Sequence, residues 1–191
     1  MPRERTYSWA DPLPIARLAT QMDGIDFVQK LADGDVPPPP VAVTVGLTPV
    51  AWGDGWSRIE LQPQEWHYNP LGTVHGGILS TLADTALGIA VHTTLPRGTS
   101  YTSLDLIMKF TRSATVESGL LTCEGRVVTS GRRVATAEAT VTDVDGRVIA
   151  HAVSTCMLFP AQGGDAGSAD AAGRLRGWSR SSRIGSTQSI S

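Results

Sequence analysis

One segment constrains the fold more than any other. Ile78, Leu79, Leu82, Ala83, Ala86, Leu87 and Ala90 recur at three- and four-residue spacing. That spacing makes a wide apolar stripe and predicts a helix that buries one whole face. Pro96 and Gly98 stop it. It is the clearest helix in the sequence, and the text on both sides reads mainly as strands.

Val41, Val43, Val45 and Leu47 alternate with Ala42, Thr44, Gly46 and Thr48, which predicts a first strand. A second runs from about Gly55 to Leu61 after the turn Trp52-Gly53-Asp54-Gly55. Beyond the helix, Leu104, Leu106, Met108 and Phe110 alternate as one strand, and Gly119 to Thr129 forms another. Ser130-Gly131-Arg132 makes a turn into Val134–Thr142, and Asp145-Gly146 is a hairpin signal before a last strand over 147–159. The order is β-β-α-β-β-β-β. A sheet with one covered face needs something to bury against. The simplest solution is an α+β fold, a curved antiparallel sheet wrapped around the one long helix (about residues 76–92). A doubly wound fold would need further helices between the strands.

The flanks divide the chain into a lead over 1–40, a central domain over 41–159 and a tail over 160–191. In the lead, Leu13 to Leu31 fits one or two short helices packing through Phe27, Val28 and Leu31, and Pro37 to Pro40 forms an extended connector. The tail is rich in Gly, Ser and Ala and reads as flexible. It carries four arginines against Asp165 and Asp170, a net +2, so the whole-chain charge of -2 leaves -4 on residues 1–159. An acidic body argues against a phosphate-backbone partner, so no nucleic acid is expected. No run of 18 apolar residues and no secretory signal is seen, so neither a membrane nor export is expected and a cytoplasmic location is the default. Cys123 and Cys156 are too few for a disulfide framework, and the histidines form no spaced ligand set, so no metal is expected.

The chemistry is concentrated where the helix begins. Gly76 and Gly77 bare backbone N–H groups at a helix N-terminus, which favours negative charge. That is a ready oxyanion site, although glycines there also suit a tight turn. Asp84 is rotated by about 200° from Leu82 and so leaves the apolar stripe. It is either an ordinary exposed acid or a carboxylate facing a cleft, able to act as base or nucleophile. Asn69 and His75 flank the glycines as hydrogen-bonding groups. Arg112 follows a strand and Arg132 and Arg133 sit at a turn; they are solvated charges or holders of coenzyme phosphates. No phosphate-loop or dinucleotide motif is present.

Asn69-Pro70-Leu71-Gly72-Thr73-Val74-His75-Gly76-Gly77, followed by Leu82-Ala83-Asp84-Thr85-Ala86, resembles the PaaI-type branch of the hotdog-fold acyl-CoA thioesterases. The likeness runs from about Phe27 to Phe159 and includes Tyr101-Thr102-Ser103-Leu104-Asp105-Leu106, Gly131 to Ala137 and Asp145-Gly146-Arg147. Ser113 stands where the family commonly has proline. The resemblance implies a hotdog fold and a homodimer, often paired into a tetramer, with sites at the dimer interface. It implies Asp84 as the catalytic acid, the Gly76 N–H with Gly77 beside it at the thioester oxygen, and Asn69 near water or thioester. His75 would orient that region, and Ser103 would contact the water or the acid from the partner chain.

The implied activity is hydrolysis of an acyl-CoA to a carboxylic acid and coenzyme A. Coenzyme A is then part of the substrate, and no separate cofactor is expected. A hotdog hydratase or dehydratase and a non-enzymatic acyl-CoA-binding dimer are the rivals. The acyl group stays open among medium-chain, phenylacetyl and hydroxynaphthoyl. Its pocket is expected near Leu71, Ile78, Leu82 and the partner's strand.

Overall fold

The computed structural model describes residues 2–161; the expected flexible tail lies outside the described residues. Three helices open the chain: α1 (Pro12–Leu18), α2 (Gly24–Asp33) and α3 (Pro40–Val45). The strands are β1 (Leu47–Gly53), β2 (Trp56–Leu61), β3 (Thr99–Ser103), β4 (Ile107–Phe110), β5 (Leu121–Ser130), β6 (Val134–Thr142) and β7 (Val148–Pro160). The long helix α4 spans Gly76–His92, between β2 and β3.

All strand pairs are antiparallel. The sheet order is β1-β2-β5-β6-β7-β3, and β4 also pairs with β7. Leu79, Leu82, Ala83, Ala86, Leu87 and Val91 of α4 pack in one core with Ile59, Leu61, Leu121, Cys123, Val141 and Ile149 of the sheet region. Each fully buried leucine there contributes about 1.5–3 kcal/mol. Ser57 ties the two layers with a hydrogen bond from its Oγ to the Ala86 carbonyl (2.8 Å). A seven-stranded antiparallel sheet packed on one long helix is the hotdog architecture.

Two strand expectations are corrected. Residues 40–45 form α3 instead of the start of the first strand, which begins only at Leu47. Pro40 at the first helical position presets the backbone dihedral for a helix. The helix's last carbonyls are then satisfied from far away in sequence. The Arg5 guanidinium donates to Thr44 O (2.6 Å) and Val43 O (3.2 Å), and His67 Nε2 pairs with Val45 O (2.9 Å). Of the expected strand over 104–110 only 107–110 is a strand, β4; residues 104–106 leave the ladder at Asp105, and β3, over 99–103, is not among the expected strands. The Asp105 side chain accepts from Thr155 N–H (2.9 Å) and its carbonyl accepts from Ser154 Oγ (2.7 Å). In the lead, Phe27 and Val28 of α2 are buried, and the extended connector ends before Pro40, which opens α3.

Candidate active site

The loop before α4 is built by Asn69. Its Oδ1 accepts from the N–H groups of Leu71 (2.9 Å) and Thr73 (3.3 Å), and its Nδ2 donates to Thr73 Oγ1 (3.0 Å). This side chain shapes the loop, and its polar atoms are engaged there. His67 lies below, buried, with Nδ1 accepting from Gln64 N–H (3.1 Å). Burial, with Arg5 adding to it, lowers the His67 pKa despite the bond to Val45 O. The His67 carbonyl accepts from His75 N–H (2.8 Å), which fixes the entry to α4.

His75 then caps the helix. Its Nδ1 accepts from Gly77 N–H (2.8 Å), and its carbonyl accepts from Ile78 N–H (2.9 Å) and Leu79 N–H (3.3 Å). A neutral imidazole that accepts at Nδ1 carries its proton on Nε2. A helix leaves its first four N–H groups unpaired. Of these, the His75 N–H goes to His67 O and those of Gly77 and Ile78 to His75, so of the four only the Gly76 N–H has no acceptor among the described residues. Gly77 is therefore a spent donor. A Cβ at position 76 would lie 3.1 Å from Phe110 Cζ, so the bare backbone keeps this approach open. Gly76 lines a cavity of about 380 Å³ together with Thr73, Leu79, Phe110 and Arg112.

Asp84 is exposed, off the buried stripe, two turns further along α4. Ser103 Oγ, on β3, donates to Asp84 Oδ1 (3.2 Å). This contact is made within one chain, where the resemblance implied a contact across chains. Asp84 lines a second cavity of about 310 Å³ with Ala19, Phe27, Val28, Leu31, Ile89, His92 and Tyr101 among its walls. The three residues expected around the acyl group are not among them. Leu71 is 87% exposed, and Leu82 is sealed in the core. Reading the sequence missed this wall. Phe27, Val28 and Leu31 read as packing residues, and nothing in one sequence ties α2 to Asp84.

Arg112 and the pair Arg132 and Arg133 are not brought together within the chain. Arg112 N–H donates to Ile149 O at one end of β7, while Arg133 O accepts from Leu158 N–H at the other. Nine strand residues separate those ends by about 30 Å. Both thiols are buried. Burial pushes Cys123 up to about 12 and also raises Cys156, so neither is a thiolate nucleophile at neutral pH. Among the described residues, no group of three metal-ligating side chains occurs, and no helix is long and apolar enough to cross a membrane.

A free N–H at a helix start can accept developing negative charge, and an exposed carboxylate beside an apolar cavity can act as a base or nucleophile. The Thioesterase superfamily profile matches residues 71–150. The phenylacetic acid degradation-related protein of Ralstonia eutropha JMP134 is 31% identical, with a TM-score of 0.63 covering 68% of this chain and 97% of that one. A thioesterase family protein from Silicibacter pomeroyi is 26% identical, with a TM-score of 0.63 over 70% of this chain and 98% of the other. The E. coli PaaI protein from the phenylacetic acid degradation operon shares the fold, at 17% identity and a TM-score of 0.64, covering 74% and 98%. No curated protein sequence matches. The chain belongs to the thioesterase superfamily.

Proposed function

We propose that the protein is an acyl-CoA thioesterase of the PaaI type, with a site shared by two copies of the chain. The observation that carries this is the unpaired Gly76 N–H at the start of a helix whose next three N–H groups are bonded, with Asp84 on the same helix held by Ser103 of β3. Eight residues separate Gly76 from Asp84, about 12 Å along the axis. One thioester carbonyl cannot touch both groups of one chain. A two-fold pairing answers this, because it sets Gly76 of one copy against Asp84 of the other.

In this reading the thioester oxygen rests on the Gly76 N–H, where the helix end also favours negative charge. Asp84 takes a proton from water as the water oxygen bonds to the acyl carbon. The C–S bond then breaks, and the proton passes to the departing sulfur. Alternatively, an Asp84 oxygen attacks the acyl carbon, the C–S bond breaks to give a mixed anhydride and the coenzyme A thiolate, and water then opens the anhydride, restoring the Asp84 carboxylate and giving up a proton to the thiolate. Either route gives a carboxylic acid and coenzyme A. Ser103 orients Asp84, and Asn69 and His75 fix the loop and cap that present Gly76. Arg112 of one copy, beside Gly76, and Arg132 and Arg133 of the other meet the coenzyme phosphates.

The test is thiol release from a panel of short, long and aromatic acyl-CoAs. Release that depends on Asp84 supports the reading. Tight binding without thiol release would favour an acyl-CoA binder, and a double-bond change without thiol release a hydratase or dehydratase.

A further inference from the structure

The entry to α4 is held by a junction that begins in the N-terminal lead. A helix leaves its last four carbonyls unpaired. In α3 the Ala42 carbonyl accepts from Gly46 N–H (2.7 Å), and the remaining carbonyls go to two side chains. Arg5 takes those of Val43 and Thr44, and His67 takes that of Val45. Arg5 and His67 are thus fixed to one helix end. His67 Nδ1 accepts from Gln64 N–H, so Nε2 carries the proton and donates to Val45 O. Burial, with the Arg5 charge adding to it, favours the neutral ring that these two bonds require.

Arg5 also holds the short 3₁₀ turn Glu65–His67 directly. Its guanidinium lies over the Trp66 ring at 4.6 Å and the Tyr7 ring at 5.0 Å. Trp66 in turn meets the His67 ring edge-on, with centroids 5.7 Å apart. A planar cation with a rigid fork of donors can bond two carbonyls and stack on rings at once; a lysine ammonium cannot. Arg3, a second cation of this segment, pairs with Glu65, and both side chains are well exposed. Such a pair contributes little, so Arg5 carries the hold.

His67 passes the constraint on. Its carbonyl accepts from His75 N–H (2.8 Å). Were that carbonyl to swing away, His75 would lose its backbone anchor, and with it the ring placement that engages the Gly77 N–H. α4 would then begin with several loose donors in place of one.

We infer that Arg5 is a positioning residue for the reaction: through Trp66 and His67 it holds His75 in the pose that leaves the Gly76 N–H as the single free donor of the first turn. The inference rests on the thioester-hydrolysis reading above and deepens it. Arg5 lies outside residues 71–150, which the superfamily profile covers.

The full-length chain is assayed as wild type, Arg5→Lys and Arg3→Gln, with the acyl-CoA of the panel that gives the fastest thiol release. Arg5→Lys should lower kcat about tenfold and leave KM unchanged, because the donor stabilises charge that develops only after binding. Arg3→Gln should leave both unchanged. In a Gly76→Pro background the donor is already gone, so Arg5→Lys should not lower the residual turnover further. An equal loss in both backgrounds, or no loss in either, overturns the assignment and leaves thioester hydrolysis standing. Amide hydrogen exchange gives a readout that needs no substrate. The His75 and Gly77 N–H groups should exchange about tenfold faster in Arg5→Lys, while the amides of β5 and β6 keep their wild-type protection. Unchanged exchange at His75 and Gly77, or equal acceleration in β5 and β6, overturns the inference. Faster exchange confined to the start of α4, without thiol release from any substrate, upholds the hold of Arg5 on the helix and removes the thioesterase reading.

Discussion

The Gly77 N–H donates to His75 Nδ1 at 2.8 Å. That single bond decides which backbone group of α4 is free to do chemistry. With Ile78 and Leu79 bonded to the His75 carbonyl, the positive end of the helix is left with one unpaired donor, at Gly76.

Gly76→Pro tests that donor with little disturbance. Proline removes the N–H but is well tolerated at the first helical position. The preceding residue must be extended, and His75 already is, at φ -61° and ψ 135°. A Cβ there meets only the far end of Phe110, which is half exposed. We expect kcat to fall by about a hundredfold to a thousandfold with an unchanged circular dichroism spectrum.

Asp84→Asn removes the base or nucleophile while keeping the shape. Turnover of any acyl-CoA substrate should fall by about a hundredfold to ten-thousandfold. Ser103→Ala frees Asp84 Oδ1 but keeps the carboxylate, and should cost only about three- to tenfold in kcat. Steady-state kinetics of the two variants should rank in that order. Equal activity of Asp84→Asn and wild type would remove Asp84 from the mechanism.

Stability should fall in mild acid. Burial lowers the pKa of both His67 and His92 in the folded state, so the unfolded chain binds more protons. Stability is therefore fully present above the unfolded histidine pKa of about 6.5 and is lost progressively as pH falls below it. Melting temperatures of wild type should decline between about pH 7 and 5. His92→Leu should decline less steeply over the same window.

Asp143 gives the same direction of dependence in a more acidic window. Its carboxylate accepts from Arg147 Nε (2.7 Å) and from the N–H groups of Arg147 (2.9 Å) and Asp145 (3.0 Å). Burial opposes its charge, but these partners outweigh burial and hold the pKa below the usual carboxylate range. Its contribution is present above the unfolded pKa of about 3.9 and lost as pH falls through the lowered folded value. Asp143→Asn should lower the melting temperature at neutral pH, and the gap from wild type should close in strong acid.

Much of the fold was legible because its signals are local. The apolar stripe located α4, and Asp145-Gly146 and Ser130-Gly131-Arg132 located two hairpins. The failures came where distant residues decide. Residues 41–45 alternate like a strand, yet Arg5 and His67 cap them as a helix. The alternation over 104–110 hid the break made by Asp105 with β7. In the candidate site, the placement of Gly76 at a helix start and of Asp84 off the apolar stripe could be read from local spacing. That His75 spends the Gly77 donor, and that α2 walls the cavity at Asp84, depends on packing that a single sequence does not encode locally.

The central claim is that one site takes Gly76 from one copy and Asp84 from another. Mixing Gly76→Pro and Asp84→Asn chains after unfolding and refolding them together tests it directly. Each variant is inactive alone, but half of the mixed dimers contain both chains, and one of their two sites is intact. The mixture should recover about a quarter of wild-type activity. Activity no greater than the sum of the two variants, with dimers of both chains present, would contradict a shared site.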